Sequence, residues 1–269
     1  MSQTTISSRR NPKIKLARGL YRRKTRQDSN LFIAEGIHIT AEALKSSSPV
    51  HSIFYSPDLL RSTFALDLIE TAATQEIACY ATTPEVFQSI SGKENPVGIL
   101  ALVHQSPFSL QALNPENFSF AVALVTPQDP GNIGSILRTI DAAGANGLIL
   151  LDGGADPYHP SAVRASTGAI FWHPIVQADL SEFKDWVADQ GYRIYGTSAH
   201  ADTNYQQIER YIKPLVLVMG SEREGLSQEQ TSICDVLIRL PMKGRCTSLN
   251  LAIATGILLY DIMRKIDQV

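Results

Sequence analysis

A regular alternation of apolar runs and helical patterns, which begins at Phe120, restricts the fold more than any other feature of the chain. Apolar runs of strand length lie at 120–125, 148–151, 169–176, 192–196 and 215–219. A helical pattern over 133–143 separates the first two runs. Strands that are apolar on both faces, with helices between them, are typical of a parallel sheet. We therefore predict an α/β fold with a mostly parallel sheet and helices on both faces.

The first hundred residues contain shorter patterns of the same two kinds. Asn11-Pro12 predicts a helix N-cap followed by proline at the first helical position. Strand-like runs at 31–33 and 52–55 lie on either side of a helical pattern at 36–44. Residues 104–118 contain two prolines and little periodicity, which is typical of a linker. The predicted domains are a small α/β domain at 1–104, a linker at 105–118 and the larger domain at 119–269.

Charge is unevenly distributed along the chain. The formal net charge is −2, but residues 1–45 contain ten Lys and Arg against three acidic residues, so this segment carries +7 and the remainder −9. Basic side chains that neutralise phosphates give sequence-independent affinity for nucleic acids. The solvated face of an amphipathic helix would carry the same residues, so charge alone leaves both interpretations open.

Several classes of protein are disfavoured. No segment approaches the roughly 20 apolar residues of a membrane span, and the amino terminus lacks the apolar core of a signal peptide. We expect a soluble, cytoplasmic protein with no membrane partner. Cys79, Cys234 and Cys246 match no zinc or redox spacing and are expected to be reduced packing residues. The histidines show no metal-ligand spacing, so no metal is expected.

Candidate functional residues lie in three loops that follow predicted strands, at the sheet edge where ligands bind. The first loop follows Val125 and contains Asn132, Gly134 and Arg138. Arg138 lies away from the apolar stripe of its helix and is free to reach a substrate, although an ordinary surface arginine would lie there too. Local grounds favour Asn132 as a helix cap.

The second loop follows the apolar run that ends at Met219. Gly220, Glu222 and Gly225 form a Gly-x-Glu-x-x-Gly pattern, which places two flexible residues and one carboxylate at the end of a strand. A turn with solvated acidic residues is the alternative interpretation.

The third loop follows Leu240 and leads into a helix. Ser248 is a predicted N-cap, and Asn250, just inside the helix, needs a polar partner. The helix is apolar nearly all round, so we expect both of its sides to be buried, by its own chain or by a second subunit.

Taken in order, the three loops resemble the motifs of the SpoU, or TrmH, family of ribose 2′-O-methyltransferases in the SPOUT superfamily. The residues that carry the resemblance are Asn132, Gly134 and Arg138; Gly220, Glu222 and Gly225; and Pro241, Met242, Gly244, Ser248, Leu249 and Asn250. The segment 156–169 looks like the middle stretch of the family, with Arg164 as a candidate RNA contact. The match spans about residues 120–265. Residues 1 to about 104 look like the L30e-like substrate-binding extension of many members, which is similar to a small ribosomal protein.

The resemblance implies a carboxyl-terminal trefoil knot, a homodimer and S-adenosyl-L-methionine as the cofactor. The cofactor-binding residues that it implies are Gly220, Gly225, Leu240, Met242 and Leu249. The catalytic set that it implies is Arg138, Asn132, Glu222, Ser248 and Asn250. The expected RNA contacts are Arg9, Arg10, Lys13, Arg22, Arg23 and Arg164. The expected substrate is RNA, with rRNA ahead of tRNA because the extension looks like those of ribosomal enzymes.

In this family Arg138 would be the usual candidate for the catalytic group, but a guanidinium stays protonated in proteins. We therefore expect Arg138 to hold a substrate phosphate, orient the ribose hydroxyl and stabilise developing negative charge, with that phosphate as a candidate proton acceptor. Two alternatives are a catalytically silent RNA-binding protein of the same fold and a nicotinamide-dependent oxidoreductase, which lacks its glycine fingerprint here. Arg245-Cys246-Thr247 occupies a stretch often filled by small residues, which leaves the details of cofactor contact open.

Overall fold

The computed structural model describes residues 5–266, which form ten α-helices and eleven strands. The helices are α1 (Pro12–Gly19), α2 (Arg23–Ser29), α3 (Ile37–Lys45), α4 (Thr63–Thr74), α5 (Pro84–Gln88), α6 (Pro130–Ala142), α7 (Pro160–Ser166), α8 (Leu180–Gln190), α9 (Gln228–Ser232) and α10 (Leu251–Ile266). The strands are β1 (Leu31–Glu35), β2 (Val50–Tyr55), β3 (Ala78–Ala81), β4 (Ile99–His104), β5 (Phe120–Val125), β6 (Gly147–Leu151), β7 (Ile175–Ala178), β8 (Arg193–Thr197), β9 (Thr203–Asn204), β10 (Leu215–Met219) and β11 (Val236–Arg239).

These elements group into two compact units. Unit 1 comprises residues up to 106 together with 158–172, and unit 2 comprises 107–157 and the residues from 173 onward. The predicted domain boundaries at 104 and 119 stay a prediction.

Unit 1 contains a four-stranded sheet in the order β1-β4-β2-β3. Strand β4 runs antiparallel to β1 and β2, and β3 runs parallel to β2. Helix α1 begins as predicted, because Asn11 accepts a hydrogen bond from the Lys13 N–H at 2.9 Å and Pro12 occupies the first turn. Its buried residue Ile14 and the adjoining Leu20 pack in one apolar cluster with residues of the sheet.

The segment 158–172 completes the packing of unit 1. Helix α7 contacts β1, and the Phe32 ring lies 5.0 Å from that of Tyr158 and 5.9 Å from that of Phe171 between centroids. Phe32 is only 2% exposed as a result. The predicted strand over 169–176 is wrong in its first half, because Ala169–Phe171 forms a 3₁₀ turn after Gly168, whose φ is +113°. The strand β7 begins only after Pro174.

Unit 2 contains a seven-stranded sheet in the order β7-β6-β5-β10-β8-β11-β9, and every pair of neighbouring strands described in it is parallel. Both faces of its central strands are buried: Val122 and Val216 are as inaccessible as their neighbours Ala123 and Leu217. The predicted α/β class with a mostly parallel sheet is confirmed. The strand order makes the carboxyl ends of β10, β8 and β11 neighbours, and this edge carries the candidate site.

Helix α10 has two different faces in the single chain. Leu258 and Leu259 are fully buried, whereas Ile253 is 57% and Tyr260 50% exposed. One apolar side is therefore covered by the chain itself and the other is not. Among residues 5–266, no helix is both long and apolar enough to cross a membrane.

Candidate active site

A cavity of about 380 Å³ lies at the carboxyl ends of β8, β10 and β11. Its walls come from the loops that follow these strands and from the beginning of α10. The cavity brings together seven residues singled out from the sequence, namely Gly220, Glu222, Gly225, Leu240, Met242, Ser248 and Leu249. Apolar side chains and main-chain polar groups surround a volume in the range of small-molecule sites.

The loop after β10 folds back on itself at its two glycines. The Ser221 N–H donates to the Gly225 carbonyl at 3.1 Å, and the Gly225 N–H donates to the Ser221 carbonyl at 3.0 Å. A Cβ on Gly220 would lie 2.4 Å from the Gly225 carbonyl carbon and 2.6 Å from the Leu226 nitrogen, so no larger residue fits. Gly225 has φ +70°, a conformation that favours glycine. The shape of this loop therefore requires the two glycines of the Gly-x-Glu-x-x-Gly pattern.

The last residue of β8, Thr197, and the loop 198–200 that follows it also line the cavity, and this loop was not predicted from the sequence. Thr197 donates to the Val218 carbonyl at 3.2 Å and accepts from the Gly220 N–H at 3.4 Å, which ties β8 to the glycine loop. The sequence feature that could have identified this loop was the predicted strand over 192–196. The loop after that strand belongs to the same sheet edge as those after 219 and 240.

A chain of hydrogen bonds connects the three predicted motifs. The Asn132 Nδ2 donates to Glu222 Oε1 at 3.3 Å, and the Gln128 N–H donates to both oxygens of the same carboxylate at 3.3 Å. The Asn250 Nδ2 donates to Asn132 Oδ1 at 3.0 Å. The Asn250 Oδ1 then accepts from the N–H groups of Ala252 and Ile253 at 2.9 and 3.3 Å, which caps α10.

The carboxylate determines the orientation of both amides in this chain. Because carboxylate oxygens accept hydrogen bonds, Asn132 presents its NH₂ group to Glu222 and keeps its oxygen for Asn250. Asn250 must then present its own oxygen to the helix. The polar partner expected for Asn250 is confirmed and is Asn132.

Two capping predictions are wrong. Helix α6 is capped by Asp129, which accepts from the Gly131 N–H at 2.8 Å, so Asn132 is not the cap and lies buried in the first turn. Asn250, rather than Ser248, caps α10, because the helix begins at Leu251. Each true cap immediately precedes the first helical residue.

Arg138 lies on α6 with an exposed side chain and forms no hydrogen bond or ion pair with any residue in the described range. It does not line the cavity. A free, permanently charged guanidinium is available for an anionic ligand.

The basic residues predicted to bind RNA lie in unit 1. Those exposed are Arg9, Arg10, Lys13, Arg22, Arg23 and Arg164. Arg26, by contrast, is fully buried, and its guanidinium donates to the Leu20 carbonyl at 2.7 Å, so it supports the end of α1. Arg164 on α7 lies near Tyr21, the pKa of which is raised by burial and by Glu35, while Arg164 opposes the rise. The structure thus places Arg164 in the same unit as the basic amino-terminal segment.

The cysteines are free, but they are not all packing residues. Cys79 is buried, and burial together with Asp235 raises the pKa of Cys234 to about 12. Cys246 is exposed on the loop before α10, so the prediction of a packing role is wrong there. Within residues 5–266, no three His, Cys, Asp or Glu side chains lie together as a metal site would require.

A parallel sheet with a small-molecule cavity at its carboxyl edge defines an α/β ligand-binding protein. Residues 119–260 match the SpoU rRNA Methylase family, and residues 11–101 match the MRM3-like substrate binding domain. The chain belongs to the SpoU rRNA methylase family.

Relatives with assigned functions align along nearly the whole chain. The 23S rRNA (guanosine(2553)-2′-O)-methyltransferase RlmP of Bacillus subtilis is 32% identical over 257 residues, which cover 96% of this chain and 98% of that protein. The 23S rRNA (uridine(2479)-2′-O)-methyltransferase of Streptomyces viridochromogenes is 32% identical over 90% of this chain and 86% of that protein.

Solved structures of related proteins are similar to this chain along most of its length. An AdoMet-bound rRNA methyltransferase from Sinorhizobium meliloti superposes with a TM-score of 0.88 at 32% identity, covering 97% of each chain. The SpoU methyltransferase AviRb from Streptomyces viridochromogenes, in complex with AdoMet, has a TM-score of 0.86 at 30% identity and covers 95% of this chain and 98% of that one.

Proposed function

We propose that this chain is an RNA methyltransferase that transfers a methyl group from S-adenosylmethionine to a ribose 2′-hydroxyl of ribosomal RNA. The observation that carries the proposal is the hydrogen-bonded chain Glu222–Asn132–Asn250, which joins all three family motifs beside one cavity. The relatives that align along nearly the whole chain are named as 23S rRNA enzymes, which favours rRNA over tRNA.

The cavity fits the cofactor. Its apolar wall, formed by Met219, Ile238 and Leu249, suits an adenine ring, and the backbone of the glycine loop offers polar groups at close range because Gly220 and Gly225 carry no side chains. Leu240 and Met242 would complete the pocket. When bound, S-adenosylmethionine supplies an electrophilic methyl group on a sulfonium.

Arg138 is the catalytic residue of this proposal. Its guanidinium would bind a phosphate of the substrate, hold the ribose hydroxyl in line for transfer and stabilise the negative charge that develops on the hydroxyl oxygen. A guanidinium does not act as a base, so the proton would pass to the bound phosphate. Its exposed position without a partner among the described residues supports this role.

Glu222, Asn132 and Asn250 act as positioning residues. Glu222 accepts hydrogen bonds from Gln128 and Asn132, so the carboxylate would hold the first loop in place. Ser248 lines the cavity and is left to contact the ribose or the cofactor. The basic residues of unit 1, Arg164 among them, would bind parts of the RNA that are distant from the reacting ribose.

The exposed apolar face of α10 supports a homodimer. Ile253, Ile257 and Tyr260 form a contiguous apolar stripe at helical spacing, and a second copy of the same helix would bury it. No metal enters the proposed reaction, and an rRNA substrate would place the enzyme in the cytoplasm.

Replacement of Arg138 by alanine tests the catalytic assignment. We expect methyl transfer to undermethylated rRNA to fall by about 10²-fold or more, because a preorganised charge is lost from the transition state. S-adenosylmethionine affinity, measured by calorimetry, should remain near the wild-type value, because Arg138 does not line the cavity.

The matched control is Arg193→Ala, an exposed arginine at the amino end of β8 and thus at the opposite edge of the sheet. It should leave transfer unchanged. Full activity of the Arg138→Ala protein would reject the role of Arg138, and a wild-type protein that methylates no RNA would reject the proposed function.

A further inference from the structure

The segment from Val236 to Tyr260 contains no acidic residue but three basic ones, Arg239, Lys243 and Arg245. All three side chains are exposed. None of them forms a hydrogen bond or an ion pair with a residue between 5 and 266. Cations that the protein itself does not neutralise are available to an anionic ligand.

Unit 2 as a whole has the opposite charge. Over residues 107–157 and 173–269 the sequence contains 11 Lys and Arg against 17 Asp and Glu, a balance of −6. A polyanion that approaches an acidic body is repelled, so the site of approach must carry a local excess of positive charge. The cationic segment supplies +3 of such charge.

The position of two of these cations relates them to the cavity. Met242 and Thr247 on the same loop line its wall, whereas Lys243 and Arg245 between them do not. With successive Cα atoms about 3.8 Å apart, the two charges lie at the rim of the cavity rather than inside it. A ligand that they bind therefore extends beyond the pocket for the cofactor.

We propose that Lys243 and Arg245 bind backbone phosphates of the RNA next to the ribose that is methylated. The proposal rests on the proposed function. The cofactor has a single carboxylate and two positive charges, so it is a poor match for two cations outside its pocket. Consecutive phosphates of an RNA strand match two basic residues separated by one glycine.

The test compares two double variants of the full-length protein. Lys243→Gln with Arg245→Gln removes the rim charges, and Lys184→Gln with Lys213→Gln removes two exposed lysines of unit 2 that do not line the cavity. Rim neutralisation should weaken binding to a single-stranded RNA on the order of tenfold and lower the slope of log affinity against log salt by about 1.4, since each phosphate contact contributes about 0.7. The control pair should leave both quantities unchanged.

S-adenosylmethionine binding in the absence of RNA distinguishes the alternative ligand. Unchanged cofactor affinity in the rim variant, together with the reduced slope, supports the proposal. An unchanged slope overturns it, and so does a loss of cofactor affinity without RNA, which would mean that the cations bind the cofactor carboxylate. Because the readout is binding, a wild-type protein that binds RNA but transfers no methyl group would overturn the proposed function without affecting this comparison.

Discussion

Two asparagines that lie 118 positions apart in the chain share one hydrogen bond at the candidate site. Asn132 accepts a hydrogen bond from the Asn250 NH₂ group and donates one from its own NH₂ group to Glu222. One carboxylate therefore orients side chains from two loops, and one of these side chains caps a helix. Each of these three side chains forms hydrogen bonds within the protein, and Asn250 also caps α10. The predicted catalytic set thus separates into two residues and three. Arg138 and Ser248 form no side-chain hydrogen bond within the described residues, whereas Asn132, Glu222 and Asn250 are engaged with one another.

Replacement of Asn250 by aspartate separates capping from this hydrogen-bonded chain. The new carboxylate would still accept from the first N–H groups of α10, so the helix stays capped and the helical content, measured by circular dichroism, should stay near the wild-type value. It has no hydrogen to donate to Asn132 Oδ1, and an unmet acceptor there costs about 1–3 kcal/mol. We expect single-turnover methyl transfer to fall by about 10- to 100-fold.

Asn250→Ser provides the companion variant, because serine also caps helices but is too short to replace the amide contact. It should match the aspartate variant in both helical content and rate. Wild-type rates in both proteins would show that the bond between the two asparagines does not position the site.

The sequence identified these residues through a family resemblance, but it could not show how they connect. Partners separated by 90 to 118 positions leave no local pattern. Local rules also gave Asn132 and Ser248 the wrong role, because several residues near each helix start were acceptable caps and only the backbone decides which one is used.

At the scale of secondary-structure elements, α10 combines a buried face with an exposed apolar face. The sequence predicted that both sides would be covered, and the single chain covers one of them. The exposed side contains Ile253 and Ile257 one turn apart, which is the spacing of a helix-packing surface.

Ile253→Glu combined with Ile257→Glu should convert a dimer into a monomer. The two charges would be desolvated in the interface, while in the isolated chain they remain exposed, so helical content should be unchanged. Light scattering of the purified protein measures the mass. The control is Phe64→Glu on α4, where the side chain is similarly exposed at 51%; it should keep the wild-type mass. A wild-type protein that is already monomeric would contradict the homodimer.

Five of the six basic residues expected to bind RNA lie in helices α1 and α2 or directly beside them, and the sixth, Arg164, lies on α7. Arg9→Gln combined with Arg22→Gln should lower the salt slope of RNA binding by about 1.4, with little change in transfer rate at saturating RNA. Lys45→Gln with Arg61→Gln, two exposed residues of unit 1 outside these helices, serves as the control and should not alter the slope. Equal salt slopes of RNA binding for the two double variants would mean that the basic face of these helices is only solvated and does not bind RNA.

Periodicity predicted several elements of this fold well. The runs 120–125 and 215–219 became β5 and β10 with the same ends. The run 169–176 failed because an apolar composition serves a buried 3₁₀ turn as well as a strand, and Gly168 and Pro174 then decide between them.

At the scale of the whole molecule, the fold class and the sheet edge that carries the site could be predicted, because alternating strands and helices constrain a parallel sheet. The assignment of 158–172 to unit 1 could not. That segment lies within the part of the chain that matches the SpoU family, and only tertiary contacts show that it packs on β1. The trefoil knot stays a prediction of the resemblance.

Residues 1–106 alone should therefore form an unstable unit. Without Tyr158 and Phe171, the ring of Phe32 loses its aromatic neighbours and becomes exposed, and burial of such a side chain contributes about 1.5–3 kcal/mol. Fusion of 158–172 to this fragment through a Gly/Ser linker should restore cooperative thermal unfolding, measured by circular dichroism. A scrambled 158–172 segment is the control, and equal stability of the bare and fused fragments would contradict the expectation.

This interleaving also limits how such a protein can be recombined. A single crossover in the segment between β4 and β5 would join a foreign amino-terminal half to a helix that was shaped for another strand. A working chimera needs the donor to contribute two separate stretches of sequence. We expect the side chains at 32, 158 and 171 to be inherited together. The boundary of this folded unit therefore does not correspond to a single position in the sequence.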